Sequence, residues 1–157
     1  MRFRPVFRQV ELEAVLAGGE TPLISGPGLF VVGGDAVVHA VAGIVDASDH
    51  AEVFASSRAA VRARDHARIW IEGEVHADAY DSAVVIAKGR CRVRAADRVR
   101  VWAENGVVVT RDGPSVSVRR AGMPSGTAVS ARPARRPASP AGPASTHPAD
   151  PSEARPQ

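Results

Sequence analysis

Four aspartates recur through the middle of the chain at a fixed spacing and form what we call the aspartate ladder. They occupy every sixteenth position, at Asp49, Asp65, Asp81 and Asp97. In a stacked repeat their carboxylates would lie about 4.8 Å apart, and carboxylate oxygens are ligands that Ca²⁺ takes. Aspartate is also a turn residue, whose side chain accepts a hydrogen bond from a nearby backbone N–H. We favour the turn, because one carboxylate per repeat supplies few oxygens, and we predict no metal site.

Large apolar residues recur at the same spacing and form the aromatic stripe. Its members are Phe54, Trp70, Ile86 and Trp102. Aromatic residues make up only 4% of the chain, so this concentration marks the stripe as a candidate interaction surface. Three interpretations are open: the stripe is a homodimer seam, it stacks on bases or sugars, or residues 1–32 cover it.

Arginines form a second candidate surface, the arginine face. Its members are Arg58, Arg62, Arg64, Arg90, Arg92 and Arg94. Clustered arginine with some aromatic residues is compatible with binding of nucleic acid or another anion. However, residues 33–120 hold 13 Lys and Arg against 12 Asp and Glu, a balance that ion pairs between neighbouring repeats explain. We predict two such series, Arg58–Glu74–Arg90 and Glu72–Lys88–Glu104.

The sequence contains no constellation for catalysis. It has one cysteine, Cys91, and no nucleophile–base–acid set, phosphate-binding loop or dinucleotide glycine pattern. His50 and His66 would stack in the repeat, but no third column of ligands accompanies them, so we predict solvated turn residues. We therefore predict a protein that is not an enzyme and takes no cofactor.

The residues from Asp49 to Asp112 fall into consecutive octads. These read DHAEVFAS, SRAAVRAR, DHARIWIE, GEVHADAY, DSAVVIAK, GRCRVRAA, DRVRVWAE and NGVVVTRD. The third, fifth and seventh positions are small and apolar, apart from Arg111, whereas the even positions are mostly polar. This period of two indicates β-strands and argues against a helix. The Asp, Ser, Gly or Asn that begins each octad predicts a turn.

Two unlike octads make one coil, because Asp begins every second octad. Stacked coils place residues i and i+16 above one another at the strand spacing of a sheet. The sequence therefore predicts an all-β fold, a flattened two-sided parallel β-solenoid with 16-residue coils of two eight-residue halves. One inward column is predicted to comprise Val53, Ile69, Val85 and Val101.

The flanks divide the chain into three parts. Residues 1–32 are assigned to an N-terminal cap, in which RQVELEAVLA at 8–17 forms a short helix that ends at glycine. Residues 33–120 form the solenoid domain, with a shifted strand at 36–40 and a last strand, at Val116 and Val118, slipped by one. Residues 121–157 are rich in Pro and Ala without a hydrophobic period, which predicts a disordered tail.

The octads, above all AYDSAVVIA from Ala79, resemble the AYDSATV-type octapeptide repeats of bacterial and phage proteins of unknown function. More weakly, they resemble the 16-residue repeats of bacterial ice-nucleation proteins. Both resemblances cover about residues 43–112 and imply a β-solenoid. The ice-nucleation repeats also imply a surface of Thr rows that orders water. Here the outward places hold Arg68 with Trp70 and Arg100 with Trp102, so the resemblance extends to the fold and not to that activity.

Length, charge and the distribution of apolar residues limit the number of domains and the cellular location. The chain has 157 residues, a length typical of one domain. Its formal net charge of +3 is too small to indicate a particular class of partner. Its N-terminus has no apolar region typical of a secretory signal, and no apolar run is long enough to span a bilayer. We therefore expect a cytoplasmic structural or protein-interaction module that self-associates through the aromatic stripe or the solenoid ends. The alternative is nucleic-acid or anion binding through the arginine face.

Overall fold

The computed structural model describes residues 2–121, which form two parallel β-sheets and one helix. Sheet 1 comprises β1 (Phe3–Val6), β2 (Thr21–Ile24), β4 (Val37–Ala40), β6 (Glu52–Ser57), β8 (Arg68–Gly73), β10 (Val84–Gly89), β12 (Arg100–Ala103) and β14 (Ser117–Arg120). Sheet 2 comprises β3 (Leu29–Val32), β5 (Ile44–Ala47), β7 (Ala60–Ala63), β9 (His76–Ala79), β11 (Arg92–Ala96) and β13 (Val108–Asp112). From β2 onward the chain alternates between the sheets, and the whole makes about seven turns. The predicted two-sided parallel solenoid is confirmed.

The strand register gives the length of each coil. Through the middle of sheet 1, the predicted period of two octads is kept in the register series Glu52, Arg68, Val84 and Arg100. Nearer the N-terminus, Val37 pairs with Glu52, so this coil is one residue shorter, which is the predicted shift of that strand. At the other end, Val101 pairs with Val118, so the last coil is one residue longer. The last strand is therefore slipped by one, as predicted.

Alternate residues of each strand point between the sheets and form the core. The predicted inward column is confirmed, with no more than 1% exposure at Val53, Ile69, Val85 and Val101. Cys91 takes another inward place, where burial raises the pKa of its thiol. Every buried residue in the described part of the chain is apolar. The core therefore depends on apolar burial, while hydrogen bonds between coils satisfy the backbone.

The corners between half-coils use left-handed backbone conformations. Each aspartate of the ladder has a φ of 56° or 57° at one corner, and Gly73 and Gly89 have positive φ at the opposite corner. Gly43 has a φ of 82°, and a Cβ there would lie 2.7 Å from the carbonyl oxygen of Gly26. Only glycine fits that corner, because a side chain would meet both a steric clash and an unfavourable φ.

A helix, α1 (Gln9–Ala17), covers the N-terminal end of the solenoid. It begins after Arg8, where the Glu11 carboxylate accepts hydrogen bonds from the N–H groups of Phe7 and Arg8, and it ends at Gly18. Leu12 and Val15 are buried against the first coil. The predicted helix is confirmed. Residues 21–32, assigned above to the cap, form β2 and β3 and already pair in the two sheets.

The C-terminal end of the described chain is covered by polar groups. The Arg120 guanidinium donates to the carbonyl oxygens of Glu104 and Val107, at 3.3 and 2.8 Å. Arg111 occupies an inward position of β13. It is the one residue at an inward octad position that is not small and apolar. The predicted disordered tail, apart from Ala121, lies outside the described residues. None of the helices within residues 2–121 has the length and apolar character needed to cross a membrane.

Candidate interaction surface

The aromatic stripe lies on the outward face of sheet 1. Phe54, Trp70, Ile86 and Trp102 occupy directly paired positions on β6, β8, β10 and β12. The first three are half-buried, and Trp102 is 38% exposed. The outward orientation predicted from their parity is confirmed. One half-apolar column therefore runs along the sheet for at least four coils.

The rings of the stripe stack on one another. Phe54 and Trp70 have ring centroids 4.6 Å apart with planes 10° from parallel. His39 extends the stack, since its ring lies 4.8 Å from that of Phe54 at 13°, and Phe3 meets His39 edge-on at 4.6 Å. Burial in this stack lowers the pKa of His39. Stacking explains why these large side chains are half-buried although they point away from the core.

Sequence reasoning missed His39 and Leu23 as members of this column, and Phe3 as a contact of the His39 ring. His39 pairs with Phe54 across the coil that is one residue short, so it falls out of line in a fixed 16-residue alignment. Leu23 pairs with His39 in turn. The signal was present in the shifted strand at 36–40, because moving that strand by one residue brings His39 into the column.

The N-terminal residues do not lie over the stripe in the described structure. Helix α1 packs against β1, β2 and β3, at the end of the solenoid remote from Trp102. Phe3 contacts the outermost ring and Leu23 continues the column. Residues 2–32 therefore lengthen the stripe, and of the three interpretations left open above, intramolecular cover by this segment is wrong.

Charged residues flank the stripe on both sides. On one side, residues in register across the strands are Glu52, Arg68, Val84 and Arg100. On the other side lie Ser56, Glu72, Lys88 and Glu104. Lys88 and Glu104 form an ion pair at 3.9 Å. Of the predicted series Glu72–Lys88–Glu104, the second pair is therefore confirmed. Within residues 2–121, Arg68, Arg100 and Glu72 form no ion pair.

The arginine face lies on and beside sheet 2, where acidic residues interrupt it. Arg62 and Arg94 share one column with Asp46 and Asp78, which alternate with them. Arg64 pairs with Asp46 at 2.9 Å. Arg94 pairs with Asp112, which raises the pKa of Arg94.

The remaining members of the arginine face are separated from these pairs. Arg92 lies between His76 and Val108 in register, and Arg58 and Arg90 lie at the corners before β7 and β11. The predicted series Arg58–Glu74–Arg90 forms no ion pair among the residues with described positions. Of the arginine face, only Arg64 and Arg94 therefore form ion pairs within the described residues, and their partners are not the predicted ones.

The aspartate ladder joins neighbouring coils through hydrogen bonds. The backbone N–H groups of Asp49, Asp65 and Asp81 donate to the Oδ2 atom of the ladder aspartate in the next coil, at 3.4, 3.3 and 3.2 Å. The N–H of Gly34 donates to Asp49 in the same way. The predicted hydrogen bond of each carboxylate to a nearby backbone N–H is therefore confirmed, and the donor lies in the preceding coil. The positive φ gives each aspartate the turn role that was predicted.

Two histidines lie beside this ladder. The rings of His50 and His66 stack 5.4 Å apart with planes 12° from parallel. No group of three or more His, Cys, Asp or Glu side chains within residues 2–121 is arranged to hold a metal ion. The stack therefore belongs to the packing of successive corners.

Comparisons of the chain with protein-family models, with curated proteins and with solved structures found no match. The two outward faces differ in a way that bears on function. Sheet 1 carries a continuous apolar column between two flanks of charged residues, whereas charges of alternating sign run along the middle of sheet 2, where Arg64 and Arg94 form ion pairs.

Proposed function

We propose that this chain is a non-enzymatic structural module of the cytoplasm that self-associates through the aromatic stripe. The observation that carries the proposal is the continuous apolar column on the outward face of sheet 1. Contiguous exposed apolar surface marks interaction sites, and each aromatic side chain buried at an interface contributes on the order of 2–3 kcal/mol. A long strip of this kind suits another extended surface, such as a second copy of the same sheet.

The blocked ends of the solenoid support the stripe over end-to-end assembly. At the edge of sheet 2, the Gln9 side-chain amide donates to the carbonyl oxygen of Val31 and accepts from its N–H, at 3.1 and 2.9 Å. The edge strand β1 of sheet 1 contains Pro5, which cannot donate to a further strand. At the other end, Arg111 and Arg120 place charge where an additional coil would stack. Proline and charge at an edge are devices that prevent strand addition.

Removing the two tryptophans tests the proposal. The parent is expected to sediment as a dimer at micromolar concentration, and Trp70→Ser/Trp102→Ser is expected to sediment as a monomer. Its β-sheet circular dichroism should be unchanged, because neither ring lies in the core. The matched control is Ile44→Ser/Val108→Ser, which removes two exposed apolar side chains from sheet 2 and should leave the dimer intact. A monomeric parent, or equal dissociation of the control, contradicts the proposal.

The alternative function, binding of nucleic acid or another anion through the arginine face, has weaker support. Asp46 and Asp78 alternate with Arg62 and Arg94 along one column of sheet 2, so phosphates would meet carboxylates at every second coil. We expect short single- and double-stranded DNA and RNA to show no measurable affinity at low salt. Low salt is the most favourable condition for phosphate contacts, so binding that falls steeply as salt rises would establish the alternative instead.

A further inference from the structure

We infer that two copies meet face to face through sheet 1 with their solenoid axes parallel, so that Arg68 and Arg100 of each copy pair with Glu72 and Glu104 of the other. This inference rests on the proposed self-association and specifies its geometry. It follows from the arrangement of charge beside the stripe.

The same pattern, Arg–x–Trp–x–Glu, occurs on two strands of sheet 1. It reads RIWIE in β8 and RVWAE in β12 and the residue after it. All of these Arg, Trp and Glu side chains point outward. Residues four apart on a strand are separated by roughly 13 Å, so the arginine and glutamate of one pattern lie on opposite sides of the tryptophan. They cannot pair with each other within one copy.

The two flanks of the stripe carry opposite net charge. The arginine flank has a charge of +1, because Arg68 and Arg100 outweigh Glu52. The glutamate flank has a charge of −1, because Glu72 and Glu104 outweigh Lys88. Of these residues, only Lys88 and Glu104 form an ion pair within the described chain. A surface with one positive and one negative border is complementary to itself in only some orientations.

A two-fold axis that runs along the stripe superposes each flank on the opposite flank of the other copy. Residues of the same coil then face each other, so Arg68 meets Glu72 and Arg100 meets Glu104, twice in each dimer. In the intervening coil Val84 faces Lys88, and near the N-terminal end Glu52 faces Ser56. If the solenoid axes were antiparallel, each flank would face itself, with positive net charge against positive and negative against negative. Complementary potentials of this kind fix the register of an interface.

The size of the face is sufficient for a dimer of moderate affinity. The seven strands from β2 to β14 span roughly 34 Å, and strands of four to six residues span roughly 13 to 20 Å. Two such faces bury roughly 1,100 Å² in total, close to the lower limit for a specific interface. At that size, repulsion between flanks is enough to separate the copies.

Charge reversal on one flank tests whether the two flanks face each other across the interface. Arg68→Glu/Arg100→Glu makes both flanks negative, and Glu72→Arg/Glu104→Arg makes both positive. We expect each variant alone to bind itself at least about tenfold more weakly than the parent, because like charges then face each other. An equimolar mixture of the two variants should form a heterodimer with an affinity within about threefold of the parent. Sedimentation and native mass spectrometry, which separates the variants by mass, measure both quantities.

The outcomes separate this inference from the proposed function. One outcome is a dimeric parent that Trp70→Ser/Trp102→Ser dissociates, together with charge variants that bind themselves weakly and do not form a heterodimer. This outcome contradicts the pairing of the flanks and leaves the stripe as the interface. Charge variants that dimerise like the parent also contradict it. A monomeric parent overturns both proposals.

Neutral variants keep the test valid if a charge reversal prevents folding. Arg68→Gln/Arg100→Gln and Glu72→Gln/Glu104→Gln each remove all four intermolecular pairs from their own homodimer. A heterodimer of the two retains Arg–Glu pairs along one border, so we expect it to exceed the statistical proportion in an equimolar mixture. The orientation itself is tested by one chain that carries all four charge reversals. In a parallel dimer opposite charges still face each other, so this chain should dimerise like the parent, whereas in an antiparallel dimer like charges face each other and it should be a monomer. A statistical proportion of the heterodimer, or a monomeric chain with all four reversals, contradicts the inference.

Discussion

Replacing Val85 by Asp is expected to lower the free energy of unfolding by about 3–5 kcal/mol, because it places a carboxylate between the two sheets. Val85 is 0% exposed, and the inward positions above and below it hold Ile69 and Val101. The introduced carboxyl group would find no buried polar partner among the described residues, all of whose core members are apolar. Denaturant unfolding followed by circular dichroism measures the change.

The matched control is Val84→Asp, one residue away on the same strand. Val84 points outward and lies directly between Arg68 and Arg100 in the neighbouring strands, so a carboxylate there gains opposite charges in place of an apolar environment. We expect a change of no more than about 0.5 kcal/mol. Destabilisation of the Val84 variant with tolerance of the Val85 variant would place the wrong face of β10 in the core.

The fold was predictable because strand parity and corner residues recur in every coil. Small apolar residues at odd positions of the octads indicate the buried face, and the aspartates at every second octad reveal that one coil contains two different halves. Each regular coil shows the same pattern of buried and exposed positions, so one atypical residue does not change the assignment of the strands. Arg111 breaks the pattern in β13, the edge strand of sheet 2, where no further coil packs upon it in the described structure.

The irregular parts were harder to predict because each occurs once. A single residue lost between Val37 and Glu52 moves His39 out of a fixed alignment, although the side chain lies in the stripe. The segment at 21–32 lacks the octad pattern, yet its residues pair in register as β2 and β3. Alternation in one strand cannot be recognised from four residues, whereas hydrogen bonding to the next coil imposes the strand conformation.

The partners of charged side chains could be predicted only in part. Position in a column limits an arginine to neighbours in adjacent coils, but a long side chain also reaches diagonally. Arg64 pairs with Asp46 and Arg94 pairs with Asp112, and each aspartate lies two positions beyond the residue that an exact repeat would place in register with the arginine. A search limited to residues in exact register misses both pairs. The sequence therefore located the charges on the correct face without assigning their partners.

A series of substitutions at Asp65 is expected to separate the two contributions of the aspartate ladder. Asp65 has a φ of 56°, its carboxylate accepts from the N–H of Asp49, and its own N–H donates to Asp81. Alanine removes the acceptor and is unfavourable at positive φ, so Asp65→Ala should lower the free energy of unfolding by about 2–3 kcal/mol. Denaturant unfolding at neutral pH measures this change.

Glycine restores one part of what alanine removes, and asparagine restores both. Asp65→Gly accepts the left-handed conformation without the hydrogen bond, so a loss of about 1–2 kcal/mol is expected. Asp65→Asn tolerates positive φ and keeps a side-chain oxygen as acceptor, so its loss should stay below about 1 kcal/mol. The exposed Asp35 serves as control, because its side chain forms no hydrogen bond among the described residues and Gly34 holds the positive φ of that corner. Asp35→Ala should change stability by no more than about 0.5 kcal/mol.

The order of the three variants decides what the ladder does. Loss that increases from asparagine to glycine to alanine, with no effect of a chelator on any of them, is the result expected for a structural ladder of hydrogen bonds. If the parent instead loses stability when Ca²⁺ is chelated, and all three variants are equally insensitive to the chelator, the carboxylates act as ligands. The geometry favours the first result, since each Oδ2 atom already accepts an N–H from the preceding coil. Repetition of that contact at four corners links the coils along one side of the solenoid, next to the sheet that carries the aromatic stripe.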